Sequence, residues 1–216
     1  MHNRRDFLGL LGAGAALPAF AGPLAAQDDL VPRSAAWDMS WVDQVSKPYR
    51  VVIDAPSITE GSGLWRSVML RDQYREVYGT FPDQMASVLV LRHEAIVLAM
   101  DHSFWEQHGA GEMAKMKDRD DKWVTRNPIG PAADDARPGA AKYTLPGFLA
   151  DGGIVLGCNL AFGGFVVGKY RGDGVSREDA RAEALKHLLP GVILQPSGFF
   201  AVVRAQQAGC VVFSNL

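Results

Sequence analysis

Gly153-Ile154-Val155-Leu156-Gly157-Cys158-Asn159 is the stretch on which the fold turns. Three aliphatic residues between two glycines read as a short buried strand, Gly153 to Gly157, with Cys158-Asn159 at its end. Similar runs lie on both sides. Arg50-Val51-Val52-Ile53-Asp54 stops at the turn signal Ala55-Pro56-Ser57, and Ser87-Val88-Leu89-Val90-Leu91 runs into Arg92-His93. Downstream come Val192-Ile193-Leu194 and Val211-Val212-Phe213. Helix formers separate these strands. The predicted helices cover about 64–78 (stopped by Gly79), 95–108 (stopped by Gly109), 144–151, 177–189 and 198–208. Ser176 is the expected N-cap of the fourth, with Asp179 at N3 in place of the usual Glu, and Ser197 caps the fifth. Strands alternating with helices imply parallel pairing and right-handed crossovers. The expected class is α/β, a three-layer sandwich with a flavodoxin-like five-stranded parallel sheet.

Composition agrees with a globular chain. Of 216 residues, 48% are hydrophobic and 21% charged, enough for a real core and too apolar for disorder. The 23 glycines and 12 prolines follow no period, which excludes collagen and repeat arrays. A net charge of -2 argues against a nucleic-acid partner. Two cysteines exclude a disulfide scaffold and a four-cysteine zinc site.

Residues 1–26 read as an address. Arg4-Arg5-Asp6-Phe7-Leu8 opens it, a weakly apolar stretch follows, and Leu24-Ala25-Ala26 closes it with small residues. The arginine pair resembles a twin-arginine signal, so the export machinery is an expected partner and the mature chain is expected in the periplasm. Pro18 and Gly22 interrupt the apolar part, and no later stretch is long enough for a stable membrane span. Residues 27–48 form a polar lead-in arm whose Trp37 and Trp41 can pack on the domain, which occupies 49–216. Within it, about 109–143 reads as an irregular insertion, a lid or a mobile loop, and its charged run Lys115–Lys122 reads as a solvated surface.

Parallel sheets of this class bind ligands beyond the carboxyl ends of their strands. That rule selects Asp54 and Ser57, Arg92 and His93, Cys158 and Asn159, and Ser197-Gly198. Cys158 is either a nucleophilic thiol favoured by nearby Arg92 and His93 or a buried inert cysteine. His93 is an acid/base or thiolate partner, or a structural hydrogen-bonder. Asp54 could hold a cation or a hydroxyl, or cap the following turn. Ser197-Gly198 offers helix N–H groups to an anion, or is a plain N-cap. Cys210 opens the last strand at the amino edge. Five strand residues span about 17 Å, and bridged Cα atoms need roughly 7 Å or less, so no disulfide joins the two cysteines. Met113 and Met116 beside His108 suggest copper less than ordinary helix packing. No metal-ligand set, P-loop, H-E-x-x-H, G-x-S-x-G or G-x-G-x-x-G occurs, so neither metal nor cofactor is expected.

At these residues the chain resembles the DsrE/DsrF-like family of small sulfur-relay proteins. The strand ending in Cys158-Asn159, with Leu160-Ala161 behind, is similar to that family's strand-end cysteine motif. Leu189 to Phe213 is similar to its closing strand–helix–strand unit, and Val90–His93 to its second strand end. The resemblance covers about 50–108 and 144–214, with the arm and the insertion outside. It implies a flavodoxin-like fold, a homo-oligomer and a persulfide on Cys158. The export signal, arm and insertion depart from the shorter cytoplasmic relay proteins, so fold is implied more firmly than activity.

Two functions follow as expectations. One is a periplasmic, sulfurtransferase-like protein exchanging sulfane sulfur with a small sulfur species or another thiol protein. Cys158 would carry the sulfur, Arg92 and His93 would favour the thiolate, and Asn159 and Ser197 would orient the bound species. The other is a non-catalytic module that binds a small ligand, haem or metal, or acts as an oligomeric scaffold. The first needs the Cys158 thiol to reach a crevice shared with His93.

Overall fold

Successive residues of a strand point to opposite faces of its sheet, and the core divides accordingly. In the computed structural model, which describes residues 34–133 and 137–214, Val51, Ile53, Leu89, Leu91 and Val155 belong to one buried cluster. Their sequence neighbours Val52, Val88, Val90, Ile154 and Leu156 belong to a second. Both faces of the central strands are covered, which is why those strands read as unbroken apolar runs.

The strands are β1 (Tyr49–Ala55), β2 (Met85–Leu91), β3 (Ile154–Cys158), β4 (Val192–Gln195) and β5 (Val211–Ser214). Every neighbouring pair is parallel, in the order β4-β3-β2-β1-β5. The helices are α1 (Trp41–Gln44), α2 (Ser62–Tyr78), α3 (His102–Gln107), α4 (Ala110–Met113), α5 (Leu145–Ala150), α6 (Asn159–Ala161), α7 (Arg177–Lys186) and α8 (Gly198–Gln207). The protein is an α/β three-layer sandwich of flavodoxin-like class. Gly79 ends α2 in the left-handed conformation, with φ 63°. Ser176 caps α7 reciprocally: its hydroxyl accepts from Asp179 N–H at 3.0 Å and donates to Asp179 Oδ2 at 2.8 Å. The short Asp reaches the Ser176 hydroxyl rather than the N-cap backbone N–H that a capping-box Glu takes.

The strand order decides where the site lies. From β1 to β4 each strand adds beside the last in one direction, so right-handed crossovers place their connections on one face. Leu64 and Val68 of α2, Trp105 of α3, Phe148 of α5 and Ala180 of α7 pack there. The step from β4 to β5 runs back past the other three strands and lies on the opposite face. That face is packed by Ala201 and Ala205 of α8, together with Trp41 and Val45. The neighbours β3 and β4 therefore exit toward opposite faces, which is the topological switch point.

Two expectations about the elements need correction. The predicted helix over 95–108 is instead a 3₁₀ segment, His93–Ala99, followed by the six-residue α3. Ala95 to Met100 are all buried, so the run has no solvent face and no amphipathic stripe. Its carbonyls at Leu98 and Met100 accept from Asn127 Nδ2, at 2.8 and 2.6 Å. Asp101 then starts α3 by accepting from Phe104 N–H at 2.8 Å.

The insertion is also less irregular than expected. It contains α4 and a bridge between Lys117 and Trp123. Asn127 and Ile129 are buried and fasten it to the core, while its charged tip, residues 117–122, is exposed as expected. The arm packs on the domain through Trp41, as the sequence allows, with the indole fully buried in the second-face core. Residues 1–26, the expected signal, lie outside the described residues.

Cys210 lies just before β5 rather than opening it, and both cysteines are free and buried. Burial pushes the Cys210 thiol up from 9.0 to about 11, with Arg50 opposing. Below pH 9 the thiol keeps its proton in folded and unfolded chains alike. Between pH 9 and about 11 the unfolded chain loses it first, so stability falls as pH rises through this window. Urea midpoints measured across that range are expected to drop, and Cys210→Ala is expected to flatten the drop. A slope unchanged in Cys210→Ala would refute this. Burial likewise raises Tyr170 from 10.0 to about 12, which adds a loss at higher pH.

Candidate functional site

Cys158 ends β3 opposite Gln195, the last residue of β4, so the thiol stands at the switch point. Gly157 precedes it because a Cβ there would meet Leu194 Cδ2 at 2.9 Å and Ile96 Cδ1 at 3.1 Å. Cys158 is also the N-cap of α6, and its Sγ accepts from Ala161 N–H at 3.4 Å. The chain continues into a π-helical turn, Phe162–Val166, and a 3₁₀ turn, Val167–Tyr170. Single π turns inside helical segments recur at functional sites.

Cys158 is 6% exposed. Of the two readings of this thiol, the burial fits the buried cysteine, and neither Cys158 nor His93 lines the crevice that begins at Asn159.

Arg92 and Asp54 form the polar centre of this sheet edge. Arg92 Nε donates to Asp54 Oδ1 at 2.6 Å and Nη2 donates to Oδ2 at 2.9 Å, a two-pronged pair joining the ends of β1 and β2. Hydrogen bonding to Asp54 carries the Arg92 pKa above its ordinary value. Burial opposes this, and charge on Asp54 and Cys158 adds to it. The guanidinium also stacks 4.9 Å from the Phe199 ring centroid. Gly198 is required by this packing, since a Cβ there would lie 2.4 Å from Arg92 Cβ. Asp54 thus neither caps the turn nor stands free for a cation.

The remaining expected residues divide. Ser197 accepts from Phe200 N–H at 3.1 Å, so its hydroxyl serves as the plain N-cap of α8. Ser57 is half-buried in the turn after β1, where its carbonyl accepts from the Thr59 hydroxyl at 3.4 Å. His93 is exposed and holds a left-handed φ of 51°. Its ring meets Phe165, in the π turn after Cys158, edge-on at 5.2 Å. His93 and Cys158 therefore belong to adjoining segments of one rim. Met113 and Met116 pack partly buried against the core, but α4 ends at Met113, so Met116 is not on its face as expected.

One feature at this edge was absent from the expectations. A crevice of about 770 Å³ begins at Asn159 and Leu160, directly after Cys158, and is walled by Arg171, Arg177 and Arg181. Asn159 Oδ1 is enclosed and has no hydrogen-bond partner. A signal for the crevice does exist in the sequence. Arg177 and Arg181 are four apart on one helix face, and Arg177 opens α7, where positive charge opposes the helix dipole. A smaller crevice of about 320 Å³ lies at the start of α2, between Trp65 and Tyr143.

Among the described residues no cluster of three or more His, Cys, Asp or Glu could hold a metal ion, and no helix is long and apolar enough to cross a membrane. Comparison with protein-family models and with curated proteins finds no match.

Proposed function

We propose that this protein handles sulfane sulfur as a persulfide on Cys158, in the manner of the DsrE-like proteins its sequence resembles. The observation that carries the reading is the placement of the thiol at the β3/β4 switch point, where folds of this class take their ligands. The Ala161 peptide N–H donates to the sulfur, and the Arg92 guanidinium interacts with it electrostatically. Both are positive ends suited to a sulfur anion. His93, on the adjoining segment, is the candidate proton carrier.

In this reading the Cys158 thiolate attacks the terminal sulfur of a polysulfide. A new S–S bond forms at Sγ, the old one breaks, and the shortened polysulfide leaves with the electron pair. The protein acts in the periplasm after cleavage behind Ala26, as a homo-oligomer. Exposed Phe199, Val203, Val211 and Phe213 offer apolar surface for a second copy.

Intact-mass measurement after polysulfide treatment tests the proposal. Wild-type protein and Cys210→Ala are expected to gain one sulfur atom, and Cys158→Ser none. Uptake that persists in Cys158→Ser defeats the mechanism. The same spectra of exported protein read a chain starting at Gln27, and native spectra read the copy number; a retained Met1 or a monomer removes those parts. The burial of Cys158 favours a second reading, a binding module without sulfur chemistry. No mass gain in wild-type protein would select it.

A further inference from the structure

We propose that the arginine-walled crevice beside Cys158 binds a small organic thiol carrying two carboxylates and an ammonium group. The charges of the crevice select that class. Arg171, Arg177 and Arg181 contribute three fixed positive charges, and Glu178 contributes one negative charge. None of the four takes part in an ion pair among the described residues. Arg181 is held flat, 5.3 Å from the Phe162 ring centroid.

Guanidinium forks match carboxylates two-pronged. The Glu178 carboxylate is an acceptor, suited to an ammonium or amide N–H. Size points the same way. The volume of about 770 Å³ suits a small organic molecule, whereas a bare sulfur oxyanion would leave most of it empty. Gly163 and Gly164 line the floor, and a Cβ at either would meet nothing within 4 Å. Packing does not demand glycine there, and its absence of a side chain lets a ligand approach the backbone.

The occupant's role rests on the persulfide reading. The bound thiol, as its persulfide R–S–SH, is the donor. The Cys158 thiolate attacks the outer sulfur, the S–S bond to R breaks, and R–S⁻ leaves with the electron pair. Cys158 keeps the outer sulfur with its proton.

Calorimetric titration of the full chain with glutathione tests the binding, using Cys158→Ser to keep chemistry out. Glutathione is expected to bind. Arg177→Ala with Arg181→Ala is expected to weaken it by about tenfold or more, at an unchanged melting temperature. Glu178→Gln is expected to weaken glutathione but not succinate, which lacks the ammonium. Thiosulfate binding as tightly as glutathione would overturn the proposal, as would arginine variants of undiminished affinity. The two readings fail separately. Sulfur uptake from polysulfide without glutathione binding overturns this inference and spares the persulfide. Arginine-dependent glutathione binding without any sulfur on Cys158 supports the crevice and overturns the persulfide.

Discussion

Trp41→Ala is expected to cost about 3–5 kcal/mol of unfolding free energy, measured by urea denaturation. Trp41 is fully buried in the second-face core with Val45, and the strand residues Val52, Val88, Val90 and Leu156 share that core. Removing the indole leaves a void under a short one-turn helix that has no means of closing it. A typical domain holds about 5–15 kcal/mol in all, so this one ring accounts for a large share. Trp41→Phe is expected to cost less, because Nε1 is enclosed without a partner and no hydrogen bond is lost. A loss below about 1 kcal/mol for Trp41→Ala would mean that the arm rests on the sheet without belonging to its core.

Arg92→Ala is expected to be the second large effect, about 3 kcal/mol, because it leaves the Asp54 carboxylate in place without its partner. The side chains of Arg92 and Asp54 are 19% and 11% exposed, so water cannot replace the missing guanidinium well. The double variant Arg92→Ala with Asp54→Ala is expected to lose much less than the sum of the two single changes. Additive losses in that cycle would refute the coupling. Arg92→Ala also removes a cation near Cys158. Sulfur uptake is therefore expected to slow in Arg92→Ala even under conditions where the variant remains folded.

The parts of the fold that were legible in the sequence were those with one dominant local cause. All five strands begin within two residues of their apolar runs. In β1, β2 and β3 both faces are buried, so no alternation blurs the pattern, while the short β4 and β5 keep their apolar runs although β4 is half-buried and β5 exposed. Ser176, Ser197 and Gly79 mark helix ends by their own side-chain or backbone chemistry. The failures have long-range causes. Ala95–Met100 has helix-forming residues, but burial on all sides and the distant Asn127 amide give it a tighter turn. Trp41 was expected to pack on the domain, but only the return of α8 to the same face shows which core it joins.

The candidate site divides similarly. Chain order and the strand-end rule placed Cys158, Arg92 and Asp54 at one edge. No local pattern tells that Asp54 and Arg92 satisfy each other across 38 residues. The arginine crevice depends on two segments folding back together, so apart from Asn159 its residues drew no notice despite the telling position of Arg177.

The return of α8 and β5 past three strands has a consequence for biosynthesis. One layer of the domain is assembled from the chain's early arm and from a helix translated after four of the five strands. Until α8 leaves the ribosome, Val52, Val88, Val90 and Leu156 have only the arm to shield them. A nascent or truncated chain is thus greasy on one side and liable to aggregate or recruit chaperones until α8 has been made.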